Sequence, residues 1–179
     1  MHSTVFVAGY GNSEPKHWQR LWFDSTKDAH WVEQKEWDNP NRDIWIEELE
    51  KTLLHVEGPI LLIAHSIGSH TVVEWAKKYY TNQNILGALL VAPPNTTADN
   101  FPKEIKGYEN PPLEKLPFSS TCILSSDDPY STEEKAEFLA DKWGSKVVKI
   151  GAKGHINLAS NLGNWEEGRK ILSDILNDS

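Results

Sequence analysis

Cysteine is nearly missing from this chain: Cys122 stands alone among 179 residues. One thiol can neither close an intrachain disulfide nor build a cysteine-rich metal site, which suits a reducing compartment. Long apolar runs are missing too. The longest, over residues 60–64 and 85–92, fall far short of the ~20 residues a membrane-crossing helix requires. The opening Met1-His2-Ser3-Thr4 has no charged region leading into an apolar stretch, so no secretion signal is expected and a cytoplasmic location is. Positive charge is in short supply: 18 basic against 26 acidic side chains give a net charge of -8. That balance repels phosphate backbones and anionic lipid, and no basic group larger than pairs such as Lys77-Lys78 offsets it. Neither a nucleic acid nor a membrane is expected as a partner. No His-Glu-x-x-His or comparable ligand cluster is present, so no metal is expected either. Repeats and low-complexity segments are absent.

What is present is ordinary for a globular protein, with 39% hydrophobic and 25% charged residues. The length fits a single domain over residues 1–179. Apolar runs rich in β-branched residues predict strands at 4–8, 59–64, 85–92, 120–125 and 146–150, with a weaker, more alternating strand at 31–37. Helical patterns predict helices at 15–23, opened by Pro15, then at 42–55, about 68–80, 132–143 and 165–176. Strands apolar on both faces and separated by helices imply a parallel sheet covered on both sides. Right-handed crossovers then give a doubly wound α/β sheet of about six parallel strands. The one long connection, residues 93–117, carries Pro94, Pro102, Pro111, Pro112 and Pro117. It is expected to lie over the binding face.

The strongest local signal is Ile60-Leu61-Leu62-Ile63-Ala64-His65-Ser66-Ile67-Gly68. An apolar strand runs into a small-x-Ser-x-Gly turn with a helix after it, the arrangement of a nucleophile elbow. Such a serine sits in a strained turn, and the residues two before and two after must be small for the backbones to pass. Gly68 meets that demand, and Ala64 stands where glycine is more usual. The competing reading is a serine that caps the following helix.

A serine nucleophile needs a base. Of seven histidines, His155 lies in a loop just after the last predicted strand, within Gly151-Ala152-Lys153-Gly154-His155-Ile156-Asn157. His2, His17, His30 and His55 fall in terminus, helix or loop surface, while His65 and His70 flank the serine too closely in sequence to fold back onto it. A carboxylate at the end of the fifth strand would orient the imidazole. Of Asp127 and Asp128, the latter, directly before Pro129, is preferred, and Asp127 is assigned to a turn or a cap. Either could instead cap the helix near Ser131-Thr132. The chain order Ser66, Asp128, His155 is the one found on α/β-hydrolase folds. An oxyanion hole needs two backbone donors. The Ile67 amide follows the serine, and the Tyr10 amide lies in the Gly9-Tyr10-Gly11 loop after strand one. His17, Trp18 and Asn157 are the candidate substrate contacts.

With these residues placed, the chain resembles the small serine hydrolases of the retinoblastoma-binding protein 9 and YdeN-like type. The matching pieces are Val7-Ala8-Gly9, His17-Trp18, Trp37-Asp38-Asn39-Pro40 with Trp45, Ala64-His65-Ser66-Ile67-Gly68, Val91-Ala92-Pro93-Pro94, residues 125–130, Trp143-Gly144, Gly154-His155-Ile156-Asn157 and Gly163-Asn164-Trp165-Glu166-Glu167-Gly168. They cover nearly the whole chain. The resemblance implies an α/β-hydrolase core with strand order 2-1-3-4-5-6 and no large cap domain. It also implies a triad on Ser66, Asp128 and His155, and hydrolysis without metal or organic cofactor. The expected substrate is a small ester or acyl compound, with carboxylesterase chemistry ahead of amidase or thioesterase. Eukaryotic relatives are linked to protein partners, so the alternative is a non-catalytic interaction module on the same fold. A dinucleotide fingerprint starting at Gly9-Tyr10-Gly11 fails, because its third glycine would fall on Glu14, an acid that opposes a pyrophosphate. Among the eight tryptophans, Trp75, Trp45 and Trp22 are assigned to helix-facing core, and Trp18, Trp37, Trp143 and Trp165 are candidates for a pocket wall.

Overall fold

Alternation along the strands sorts the apolar side chains into two layers. Val5, Val7, Leu62, Ala64 and Leu90 face one side of the sheet, while Phe6, Leu61, Ile63, Leu89 and Val91 face the other. The computed structural model describes residues 2–177; Met1 and residues 178–179, the ends of the expected domain, lie outside the described residues. Its strands are β1 (Ser3–Val7), β2 (Ala29–Trp31), β3 (Ile60–His65), β4 (Ile85–Val91), β5 (Ser120–Leu124) and β6 (Lys146–Lys149). They form one parallel sheet in the order β2-β1-β3-β4-β5-β6, the order the resemblance implies. The helices are α1 (Trp18–Ser25), α2 (Arg42–Leu54), α3 (Ile67–Tyr79), α4 (Glu133–Trp143) and α5 (Glu166–Asn177). Residues of α2, α3 and α4 pack on the first face, those of α1 and α5 on the second. Among the described residues no helix is long and apolar enough to cross a membrane.

Three expectations shift. The second strand covers Ala29–Trp31 rather than 31–37. Val32 still donates its amide to Phe6, but β1 ends at Val7 and turns away, so the residues after Val32 have no strand to pair with. They bend instead over the loop after β1, where Trp37 accepts the Gly11 amide, and Gln34 donates to the Trp45 carbonyl. The first helix opens at Trp18, not Pro15, because His17 is extended and caps it by accepting the Gln19 amide. The 93–117 connection is only partly a loop over the site. Ile105 and Tyr108 are buried against Trp45 and Ile67, the Tyr108 hydroxyl meets that of Thr71 at 2.7 Å, and Lys106 forms a bridge with Asn41. Cys122 is fully buried in β5, and burial pushes its thiol up to about 12, which leaves it inert.

Candidate active site

The β3–α3 turn is strained where the sequence requires it to be. Ser66 has φ 56° and ψ -130°, a backbone region that costs an ordinary residue about 1–3 kcal/mol. The strain persists because the neighbours leave no other path. A methyl added at Gly68 would run into the carbonyl of Val7 and sit 2.7 Å from that of Ala8, so α3 grazes the end of β1. Ala64 fits at the earlier small position, fully buried between Val7 and Leu90. Gly9 is a second close approach: a methyl there would lie 2.9 Å from Ser66 Cβ, so the loop after β1 passes directly over the serine. The Ser66 side chain does not cap α3; its hydroxyl points elsewhere.

It meets His155. Ser66 Oγ lies 2.7 Å from His155 Nε2, and His155 Nδ1 lies 2.9 Å from both carboxylate oxygens of Asp128. A carboxylate only accepts, so Nδ1 carries the proton and Nε2 is free to accept from the serine. The His155 and Asp128 side chains are 8% and 4% exposed, which strengthens their pairing. Asp128 also accepts the Tyr130 amide. Asp127, one residue earlier, turns the other way. It accepts from the Gly154 amide and the Ser125 hydroxyl, and these bonds hold its carboxyl below the usual range. Ser125 in turn accepts the Lys153 amide. The loop that carries Asp128 and the loop that carries His155 are thereby laced together. Sequence reasoning missed Ser125, because a serine at a strand end has no local mark of a partner 28 residues away.

The Ile67 and Tyr10 amides both border the same cleft, and among the described residues neither donates to an acceptor. The loop that carries Tyr10 is pinned by Gln19, another residue the sequence did not single out. Its side chain is fully buried, donates to the carbonyls of Val7 and Ile63 and accepts from Ser13. The cleft holds about 340 Å³, with Phe101, Pro102 and Ile105 of the long connection in its wall and Glu14 at its edge. His17 and Asn157 line it; Trp18 does not. Trp18 is a correction: it is 1% exposed, stacks edge-on with Trp22 and Trp165, and donates its indole N–H to the Ile156 carbonyl at 2.7 Å. It supports the His155 loop from beneath. None of the other proposed pocket tryptophans reaches the cleft either. Trp143 and Trp165 are core and Trp37 packs on Trp45, since large indoles are worth more buried.

Two further histidines complete the surroundings. His17 is buried rather than at the surface, and burial with nearby His155 lowers its pKa to about 4. His65 is likewise buried, with its pKa pushed well below the ordinary value, first by burial and then by His17 and His155. Both rings are therefore neutral near pH 7. His65 does not reach Ser66, but its Nε2 lies 3.0 Å from the His155 carbonyl. Among the described residues no group of three His, Cys, Asp or Glu converges as metal ligands.

A family model of serine hydrolases matches residues 4–174. The chain belongs to the serine hydrolase family. Among solved structures, a YdeN-like hydrolase from Pectobacterium atrosepticum is 27% identical, with a TM-score of 0.86 over 98% of this serine hydrolase and 90% of the other chain. The ydeN gene product of Bacillus subtilis is 16% identical, with a TM-score of 0.77 over 99% and 100%. Carboxylesterase CesB of Bacillus subtilis is 11% identical, with a TM-score of 0.65 over 99% and 84%. The last two show likeness of fold alone. No curated protein sequence matches this serine hydrolase.

Proposed function

We propose that this serine hydrolase cleaves small carboxylic esters through an acyl-enzyme on Ser66, with His155 as general base and acid and Asp128 holding the imidazolium. The observation that carries the reading is the unbroken series of short contacts from Ser66 Oγ through both nitrogens of His155 to both oxygens of Asp128. Ser66 donates its proton to Nε2 as Oγ attacks the carbonyl carbon. The negative charge that develops on the carbonyl oxygen is received by the Ile67 and Tyr10 amides, donors that are fixed in advance and need no reorganisation. His155 then passes its proton to the departing alcohol. Water attacks the acyl-enzyme by the same route in reverse and releases the acid. The volume of about 340 Å³ is near the lower end for ligand sites, which favours short acyl groups.

The test is labelling with a fluorophosphonate probe, read by intact mass, beside hydrolysis of a short-chain nitrophenyl ester. Wild type is expected to gain one adduct and turn over the ester, whereas folded Ser66→Ala gains none. Well-folded wild type that neither labels nor hydrolyses would overturn the reading and leave a non-catalytic role for the fold.

A further inference from the structure

The two neutral imidazoles beside Ser66 have hydrogen-bond polarities fixed by their other contacts. His17 Nδ1 accepts the Gln19 amide at 3.1 Å. A nitrogen that accepts cannot carry the ring proton, so in the neutral ring that proton is on Nε2. His65 shows the opposite arrangement. Its Nε2 faces the His155 carbonyl at 3.0 Å, a carbonyl only accepts, and so the proton is on Nε2 and Nδ1 keeps its lone pair. Each ring has one polar atom left, a donor on His17 and an acceptor on His65.

Neither of these atoms has a partner among the described residues, although the side chains are only 4% and 5% exposed. Neither is sealed in the interior, in contrast with His70 Nδ1, which is buried with nothing to bond. The opening both rings share is the cleft that holds Ser66. The rings stand 4.9 Å apart between centroids at 61° and do not bond each other. His65 is also 5.1 Å from His155 between centroids, so its ring contacts both of the other two. Capping and loop support alone do not call for imidazoles here. Asparagine or serine would cap α1 as well as His17 does, at a smaller cost of burial.

We propose that His17 and His65 together form a polar recognition site in the cleft, and that the acyl chain of the substrate carries a hydroxyl or amide group that accepts from His17 Nε2 and donates to His65 Nδ1. The group belongs to the acyl chain because the leaving alcohol must depart next to His155 Nε2, which faces Ser66, whereas the His17 ring is in contact with His65 and not with His155. This inference rests on the ester-hydrolase reading above and adds the class of acid: hydroxyacyl or acylamino rather than plain alkyl.

The experiment compares kcat/KM for nitrophenyl esters that share one leaving group. Acyl chains of equal length carry a hydroxyl at successive positions, an acetamido group, or hydrogen only. In wild type the best hydroxy or acetamido ester is expected to exceed its alkyl counterpart by about tenfold or more, the worth of two hydrogen bonds to a preformed site. In His17→Asn the asparagine oxygen can still cap Gln19, but its amide nitrogen overlies Cδ2 of the lost ring and stops short of the Nε2 position, so the ratio should fall toward one. Circular dichroism and melting establish that this variant is folded. A wild-type ratio of one at every hydroxyl position overturns the proposal without any variant, as does a ratio that His17→Asn leaves intact. Failure of the ester-hydrolase reading is separable, because it would show as no phosphonate adduct and no turnover of any ester in the series.

Discussion

Asp127 and Asp128 are neighbours of identical chemistry, and a bond length separates their roles. Asp128 faces His155 with both oxygens, while Asp127 ties down the backbone at Gly154. Replacement of Asp128 by Asn would leave the imidazole without the acceptor that fixes its tautomer, and kcat is expected to fall by about 10⁴-fold. Asp127→Asn keeps a carbonyl oxygen for the Gly154 amide, so its loss in kcat should be at least a hundred times smaller; steady-state kinetics on one ester checks both. Gly9 is the other residue on which the site turns. Its missing side chain lets the loop pass Ser66, so Gly9→Ala should displace the Tyr10 amide. A fall of about 10²-fold in kcat with KM little changed is expected, the loss typical of one oxyanion donor.

At the scale of elements, parallel strands deliver three loops to one end of the sheet, and the loops are joined to one another rather than left to the strands. Ser125 bonds both Asp127 and Lys153, and Gln19 bonds the carbonyls of Val7 at the end of β1 and of Ile63 within β3. Ser125→Ala removes one hydroxyl, leaves the Lys153 amide without its acceptor and takes one of two donors from Asp127. The expected result is about a tenfold lower kcat with only a small fall in melting temperature, because the core strands are untouched. A larger fall in melting temperature than in activity would show that the brace serves stability instead. The apolar strands β3, β4 and β5 were legible because every residue along β3 and β5 is buried, so their composition is decided by burial on both faces. The short β2 was not legible in its true place. A three-residue edge strand is set by where its neighbour stops, and alternation in residues 31–37 is equally produced by side chains that fold over a loop.

Three buried histidines give the whole molecule a response to acid. Burial lowers the pKa of His17 and of His70 to about 4, and that of His65 well below its ordinary value. In the unfolded chain each would titrate near ~6.5, so between about pH 6.5 and 4 the unfolded state binds protons that the folded state refuses. Stability is therefore complete above ~6.5 and declines as pH falls through that window, by about 3 kcal/mol for each of His17 and His70 if the full shift applies. Melting temperature measured from pH 8 to pH 4 should drop steeply below 6.5. His70→Asn should shallow that slope, and a flat profile in wild type would mean that these rings are not neutral in the fold.

The parallel α/β sheet, its two covered faces and the elbow at Ser66 follow from local properties: continuous burial along strands, helical periodicity between them, and small residues where backbones cross. Those properties are written into consecutive positions, so the chain could be read for them directly. The choice between Asp127 and Asp128, the support of loops by Ser125, Gln19 and Trp18, and the opposite polarities of His17 and His65 were fixed by contacts across as many as 138 residues of separation. A side chain's direction and its protonation state depend on what folding brings against it. Burial and a carbonyl 3.0 Å away turned His65 into a neutral acceptor facing the cleft, and nothing in the order of residues around it carries that information.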